Sequence, residues 1–175
     1  LYNNVFYKNT GVKNAIIEID DNPGSAGGPA LNIYSINNIF SENISSDSKK
    51  FFRVRDEASG DNLIHDYNVY YSNYSNSDLS ISVELNSVFD EKPLFTSPSV
   101  PVYDPKKGVE QIKEILAGFR LNSSSPAIGE GVNVFSFTGT IHPTGISDMS
   151  TREDAFCNSR KSVKKWDIGL HQVSK

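Results

Sequence analysis

The sequence predicts an all-β fold, a parallel β-helix of about three coils with one short helix and a loop-rich closing segment. Three observations point there. The first is a repeat: NNVFYKN at residues 3–9, NNIFSEN at 37–43 and YNVYYSN at 67–73 each run turn pair, aliphatic, aromatic, two residues, Asn. The second Asn of the turn pair falls at 4, 38 and 68, so the steps are 34 (4 to 38) and 30 (38 to 68). A period of roughly 20 to 50 residues marks a solenoid, in which each unit buries its apolar face against the next. The second observation lies between the copies. Residues 15–20 (AIIEID), 31–36 (LNIYSI), 51–55 (FFRVR), 63–66 (LIHD) and 80–85 (SISVEL) are short, rich in β-branched and aromatic residues, and bounded by Gly, Asp, Asn, Pro and Ser. None has room for the paired helices of a helical repeat. The third is Asn itself, which tolerates left-handed backbone at a turn and can hydrogen-bond its equivalent one coil away.

Each element follows in order. Residues 5–7 form a short strand after the first Asn corner, 8–13 a loop and 15–19 the next strand. Residues 20–29 (DDNPGSAGGP) are too rich in turn formers for regular structure. Residues 31–36 return the chain to the second corner. The second coil repeats the plan with strands at 39–41, 51–55 and 63–66 and a loop at 56–62. A third begins with 69–71 and includes 80–85, where the pattern stops. Residues 104–117 read as a helix: Asp104 is the N-cap, Pro105 takes the first helical position and Gly118 follows the end. Its apolar stripe is Val109, Ile112, Leu116 and Phe119, expected to pack on the side or open end of the stack. From Phe119 onward the chain is loop-rich, with Trp166, Ile168 and Leu170 expected to close the bottom of the core. Residues 1–100 are thus the coils and 101–175 the helix and capping segment of one domain.

Composition narrows the function classes. Among 175 residues, 37% are hydrophobic and 11% aromatic, enough for a buried core. A net charge of −4 without a basic run argues against nucleic acid or an anionic membrane as partner. No apolar run reaches about 18 residues, so no spanning helix is expected. The single Cys157 excludes an internal disulfide. Leu1 and Tyr2 read as the end of a strand. An uncapped β-helix end leaves backbone groups unpaired, so the N-terminal remainder of a longer polypeptide is the expected partner. The N-x-S/T triplets at Asn43, Asn73 and Asn122 are read as chance occurrences in a chain rich in Asn and Ser.

The tail adds a resemblance. HDYNVYY at 65–71, KPLF at 92–95, FRLNSSSPAIGEG at 119–131 and DIGLHQ at 167–172 resemble closing segments of secreted carbohydrate-active proteins of the pectate-lyase-like superfamily, which are right-handed parallel β-helices. The stretch EDAFCN at 153–158 departs from that pattern, with Cys157 where Gly is common. The resemblance implies an extracellular protein acting on an oligo- or polysaccharide, as a glycoside hydrolase ahead of a polysaccharide lyase. It also implies that Asp66 and Tyr67 stabilise a corner. Ca²⁺ is a frequent companion of lyases in this superfamily. The acidic loops at Asp20 and Asp21 and from Asp56 to Asp61 are its candidate places, but neither has the alternating spacing of a calcium loop. They are read as solvated turns, with no cofactor expected.

Alternation along the strands picks out the candidate site. If Ile17 and Ile19, Phe52 and Val54, and Ile81, Val83 and Leu85 point inward, the outward stripe is Glu18 and Asp20, Arg53 and Arg55, Ser82 and Glu84. Glu18, Asp20 and Glu84 are then the candidate catalytic carboxylates, and Arg53 and Arg55 the substrate-binding side chains. Glu18 and Glu84 would stand two strand spacings apart, about 9 to 10 Å, near the upper end of the range inverting glycosidases use. For a lyase, Arg53 and Arg55 would neutralise a uronate carboxylate. The competing reading is a cross-strand charge ladder with no chemistry. Likewise Tyr7, Tyr70, Tyr71 and Tyr74 either stack on sugar rings or belong to the core. A non-catalytic capping or glycan-adhesion module is the alternative to an enzyme.

Overall fold

The computed structural model describes residues 1–11, 15–19, 33–45, 51–54, 63–72, 83–102, 104–134, 154–156 and 165–173. These residues form ten short strands, paired in parallel, and one helix. The arrangement is predominantly β and compatible with a parallel β-helix.

Strands β1 (Val5–Tyr7), β5 (Ile39–Ser41), β9 (Val69–Tyr71) and β10 (Val88–Phe89) make one four-stranded sheet in that order. Three two-stranded sheets accompany it: β2 (Thr10–Gly11) with β6 (Ile44–Ser45), β3 (Ile17–Ile19) with β7 (Phe52–Val54), and β4 (Tyr34–Ile36) with β8 (Ile64–Asp66). Every strand pair joins one repeat to the next, so the expected repeat is the unit that pairs. Val5, Ile39, Val69 and Val88 align in one column, and Phe6, Phe40, Tyr70 and Phe89 in the next. The second column is a stack of rings: successive centroids lie 4.9, 5.2 and 5.1 Å apart with interplanar angles of 15° or less. Stacked aromatic pairs contribute about 0.5 to 1.5 kcal/mol each beyond their burial.

The two corner residues divide the work. The first of each turn pair, Asn3, Asn37 and Tyr67, takes left-handed backbone at φ 57°, 59° and 55°. The second builds a ladder: Asn4 Nδ2 donates to Asn38 Oδ1 (3.1 Å), and Asn38 Nδ2 to Asn68 Oδ1 (3.2 Å). The backbone N–H of Asn4 and of Asn38 joins in, at 3.0 and 2.9 Å to the same two oxygens. Asn68 N then donates to Ser87 Oγ at 2.7 Å, which makes Ser87 the fourth step of the ladder, 19 residues on (68 to 87). A second ladder joins Asn9 Nδ2 to Asn43 Oδ1 at 2.9 Å. Asn43, the start of an N-x-S triplet, is only 2% exposed and spends its amide on this ladder and on Phe6 O.

Several expectations need correction. The regular pattern does not stop at the third repeat, because β10 adds a fourth strand one short step later. Residues 10–11, read as part of a loop, pair with 44–45, where no strand was expected, as β2 and β6. Residues 83–85 are not a strand, and their alternation is inverted: Val83 and Leu85 are 66% and 85% exposed while Glu84 is buried. The helix α1 (Gly108–Gly118) starts late. Asp104 Oδ1 caps a separate turn by accepting from Lys106 N, and the left-handed Gly108 (φ 51°) divides that turn from the helix. Of the expected stripe, Val109 and Ile112 are exposed, Leu116 is partly buried and Phe119 is buried against Tyr7 and Phe95. The helix also packs through Gly118, which lies against the Ser97 carbonyl, and through Gln111, whose amide holds Asp104 N and Val102 O.

The described residues of the closing segment cover a flank of the sheets. Ile168, Leu121 and Ala127 pack on the outer face of the four-stranded sheet, over Ile39 and Val69, while Trp166 and Val134 pack on Ile36. Leu170 is only partly buried. Gly169 makes the close approach possible: its φ is 93°, and a Cβ there would sit 2.7 Å from Ile39 Cδ1. Asn37 ties the cover to the corner, donating to Val132 O at 2.7 Å and accepting from Val132 N at 2.9 Å. Inside, Ile19, Phe40, Phe51, Phe52 and Tyr70 form the main cluster. None of the described helices is long and apolar enough to cross a membrane.

Candidate functional site

The outward stripe is present in part. Strands β3 and β7 pair in register with Glu18 opposite Arg53, and Ile17, Ile19, Phe52 and Val54 face the core cluster. Arg53 Nη1 stands 3.6 Å from Glu18 Oε1, with side chains 36% and 38% exposed. The pair is therefore a half-exposed cross-strand contact, able to meet a solute and worth about 0 to 1 kcal/mol to stability. Asp20, Arg55 and Ser82 lie outside the described residues, as do Asp21, residues 56–61, Tyr74, His142 and Cys157.

Glu84 does not join this face. Its carboxylate is fully enclosed and lies 2.6 Å from His65 Nδ1, on β8. Tyr70 Oη donates to the same oxygen at 2.6 Å, Asn68 Nδ2 donates to Oε2 at 3.2 Å, and Ser87 Oγ makes a short contact to Oε2. The inversion at residues 83–85 has its cause here. Four donors converge on one point, and a buried carboxylate needs such a set, so Glu84 turns in and exposes the two apolar neighbours. Burial first, and the negative charge of Glu84 second, push the Tyr70 hydroxyl well above its ordinary value. With its oxygens committed to the protein and no solvent access, this carboxylate is placed for cohesion. The knot of His65, Asn68, Tyr70, Glu84 and Ser87 was not legible as a unit from spacing. Its one signal is an acid inside the apolar run SISVEL, which demands partners wherever the run is buried.

The remaining candidates are structural in their contacts. Asp66 accepts from Tyr67 N (2.9 Å) and Asn86 N (2.8 Å) through Oδ1, and from Asn86 Nδ2 (2.7 Å) through Oδ2. It therefore fastens the third corner to the fourth. Tyr70 is a core residue, and Tyr7 meets Phe95 and Phe119 edge-on. His171 accepts from Leu121 N at 3.0 Å and holds the cover together. A cleft of about 270 Å³ opens beside β1, lined by Val5, Phe6, Tyr7, Val100, Ile115 and Phe119 among others. No model of a known protein family matches the chain, and no curated protein matches it.

Proposed function

We propose that this chain is the coil-and-cover portion of a secreted, carbohydrate-active, right-handed parallel β-helix protein of pectate-lyase-like type. Its outward β3–β7 face meets an oligo- or polysaccharide. A glycoside hydrolase is the preferred activity, ahead of a lyase acting on uronate-containing glycans. The observation that supports the reading is the register of Glu18 with Arg53 on adjacent parallel strands, both half-exposed. A guanidinium suits hydroxyl or carboxylate recognition, and a neighbouring carboxylate suits proton transfer at a glycosidic oxygen.

A second reading, a non-catalytic glycan-adhesion or capping module, is favoured by the burial of Glu84, which takes one of the candidate carboxylates off that face. An assay on a panel of neutral and uronate-containing glycans separates them, following reducing ends, absorbance of unsaturated uronates and binding. We expect reducing ends that are lost in Glu18→Ala. New absorbance lost in Arg53→Ala would instead establish the lyase. Binding without turnover, weakened in Arg53→Ala, would establish the adhesion module. Neither binding nor turnover on any glycan would remove the carbohydrate reading altogether.

A further inference from the structure

Residues 119–122 alternate: Phe119 and Leu121 are buried, Arg120 and Asn122 exposed. The stretch is extended and bridged antiparallel through Leu121 to Phe95, with Thr96 N donating to Arg120 O at 2.9 Å and Asn122 N to Leu94 O at 2.8 Å. Arg120 and Asn122 therefore share one outward face, about 7 Å apart. The Arg120 guanidinium carbon lies 4.4 Å over the Phe156 ring. That ring is fixed in turn, because Phe156 N donates to Asp154 Oδ1 at 2.8 Å and the ring meets His171 edge-on at 5.1 Å and 87°. A guanidinium stacked on a ring keeps the N–H groups in its own plane open for bonding at its edge. Arg120 makes no ion pair among the described residues. Asn122 Oδ1 accepts from Ser124 N at 3.1 Å and from Ser124 Oγ at 3.0 Å, which fixes the amide, while its Nδ2 meets no acceptor among the described residues.

We propose that Arg120, Asn122 and Phe156 form a subsite in the closing segment for an anionic sugar, one carrying a carboxylate or a sulfate ester. The edge of the Arg120 guanidinium takes two oxygens of the anion with two parallel N–H···O bonds. Asn122 Nδ2 donates to a hydroxyl or ring oxygen of the same sugar. Phe156 touches the guanidinium and not the ligand, and its part is to hold the fork in one orientation, which lowers the ordering cost of binding. A glycan fits better than an acidic peptide, because the site has a single cation and its exposed neighbours are an amide and the hydroxyls of Ser123 and Ser124. Those groups match the hydroxyls of a sugar, whereas a run of acidic side chains calls for several cations. The subsite is built on other segments than Glu18 and Arg53. It rests on the carbohydrate reading above and adds that the glycan is charged.

The test titrates the full chain with a galacturonate tetrasaccharide and a sulfated galactose tetrasaccharide, with neutral galactose tetrasaccharide and a tetraglutamate peptide as controls. It follows the side-chain amide resonance of Asn122 by NMR. We expect a saturable shift of that resonance with one or both charged sugars, which names the anion, and none with either control. Arg120→Lys keeps the charge and loses the planar fork, so the affinity read there should fall about tenfold or more. Asn122→Asp keeps the acceptor for Ser124, and with it the turn, but sets a carboxylate against the anion. In that variant, backbone amide shifts of residues 120–124 should no longer respond to the sugar. No shift at Asn122, an equal shift with either control, or an undiminished response in Asn122→Asp would overturn the subsite. Glycan binding lost in Arg53→Ala, with the Asn122 resonance unmoved throughout, would overturn it and leave the carbohydrate reading standing. Binding of no glycan at all would overturn both.

Discussion

Glu84 and Glu18 are two carboxylates that one alternation rule treats alike, and their surroundings separate them. Glu18 shares a half-exposed contact with Arg53, in which solvent screens most of the attraction. Glu84 is enclosed and holds His65, Asn68, Tyr70 and Ser87 together. Removing one partner from such a set strands the others without water. Glu84→Gln is therefore expected to lower unfolding free energy by about 3 to 5 kcal/mol. Glu18→Gln should cost about 0 to 1 kcal/mol. Denaturant unfolding of the two variants checks this, and equal losses would contradict the assignment of Glu84 to the core. The Asn residues at the corners were legible because one residue type recurs at one turn. The Glu84 knot was not, because its members lie at 65, 68, 70, 84 and 87 with no common period.

The helix shows how an element can keep most of its place in the chain and only part of its expected face. Its C-terminal end falls where periodicity puts it, while its start lies at Gly108, later than the expected span from 104. Periodicity could not say which side packs. Gly118 decides that, because only a residue without a side chain fits against the Ser97 carbonyl: a Cβ would lie 2.3 Å from that oxygen. In an exposed helix, Gly→Ala gains about 1 kcal/mol from propensity. Here the sign reverses, and Gly118→Ala is expected to lower the melting temperature by detaching the helix from residues 97–98. Ile112→Ala, on the exposed side, should change it little. A melting series on the two variants decides the point, and a stabilised Gly118→Ala would refute the packing. The strands behave differently. Three residues of rise and one ring per repeat leave little freedom, so β1, β5, β8 and β9 fall where the repeat puts them.

For the molecule as a whole, the buried tyrosine sets a pH dependence. The Tyr70 hydroxyl is held well above 10 in the folded chain, by burial and then by Glu84, while in the unfolded chain it ionises near its ordinary value of 10. Above that pH the unfolded state binds fewer protons than the folded state, so stability falls as pH rises. Below it the contribution is constant. Burial shifts Tyr2 the same way. The unfolding midpoint is expected to drop above about pH 10. The slope should be shallower in Tyr70→Phe, though not abolished. Equal slopes in both proteins would show that Tyr70 is not the group responsible.

The local signals were sufficient for the repeat, its parallel pairing partners, the Asn ladder and the register of Glu18 with Arg53. These depend on one residue type or one alternation acting between neighbouring repeats, and such contacts are the same at every step. Tertiary structure alone decided the inward turn of Glu84, the fourth strand at Val88, and the placement of Trp166 and Ile168 on the flank of the sheet. Each of those depends on which distant groups arrive at one point in space. A carboxylate turns inward only where four donors already converge, and an apolar tail covers whichever face of the sheet offers it an aliphatic column to pack on.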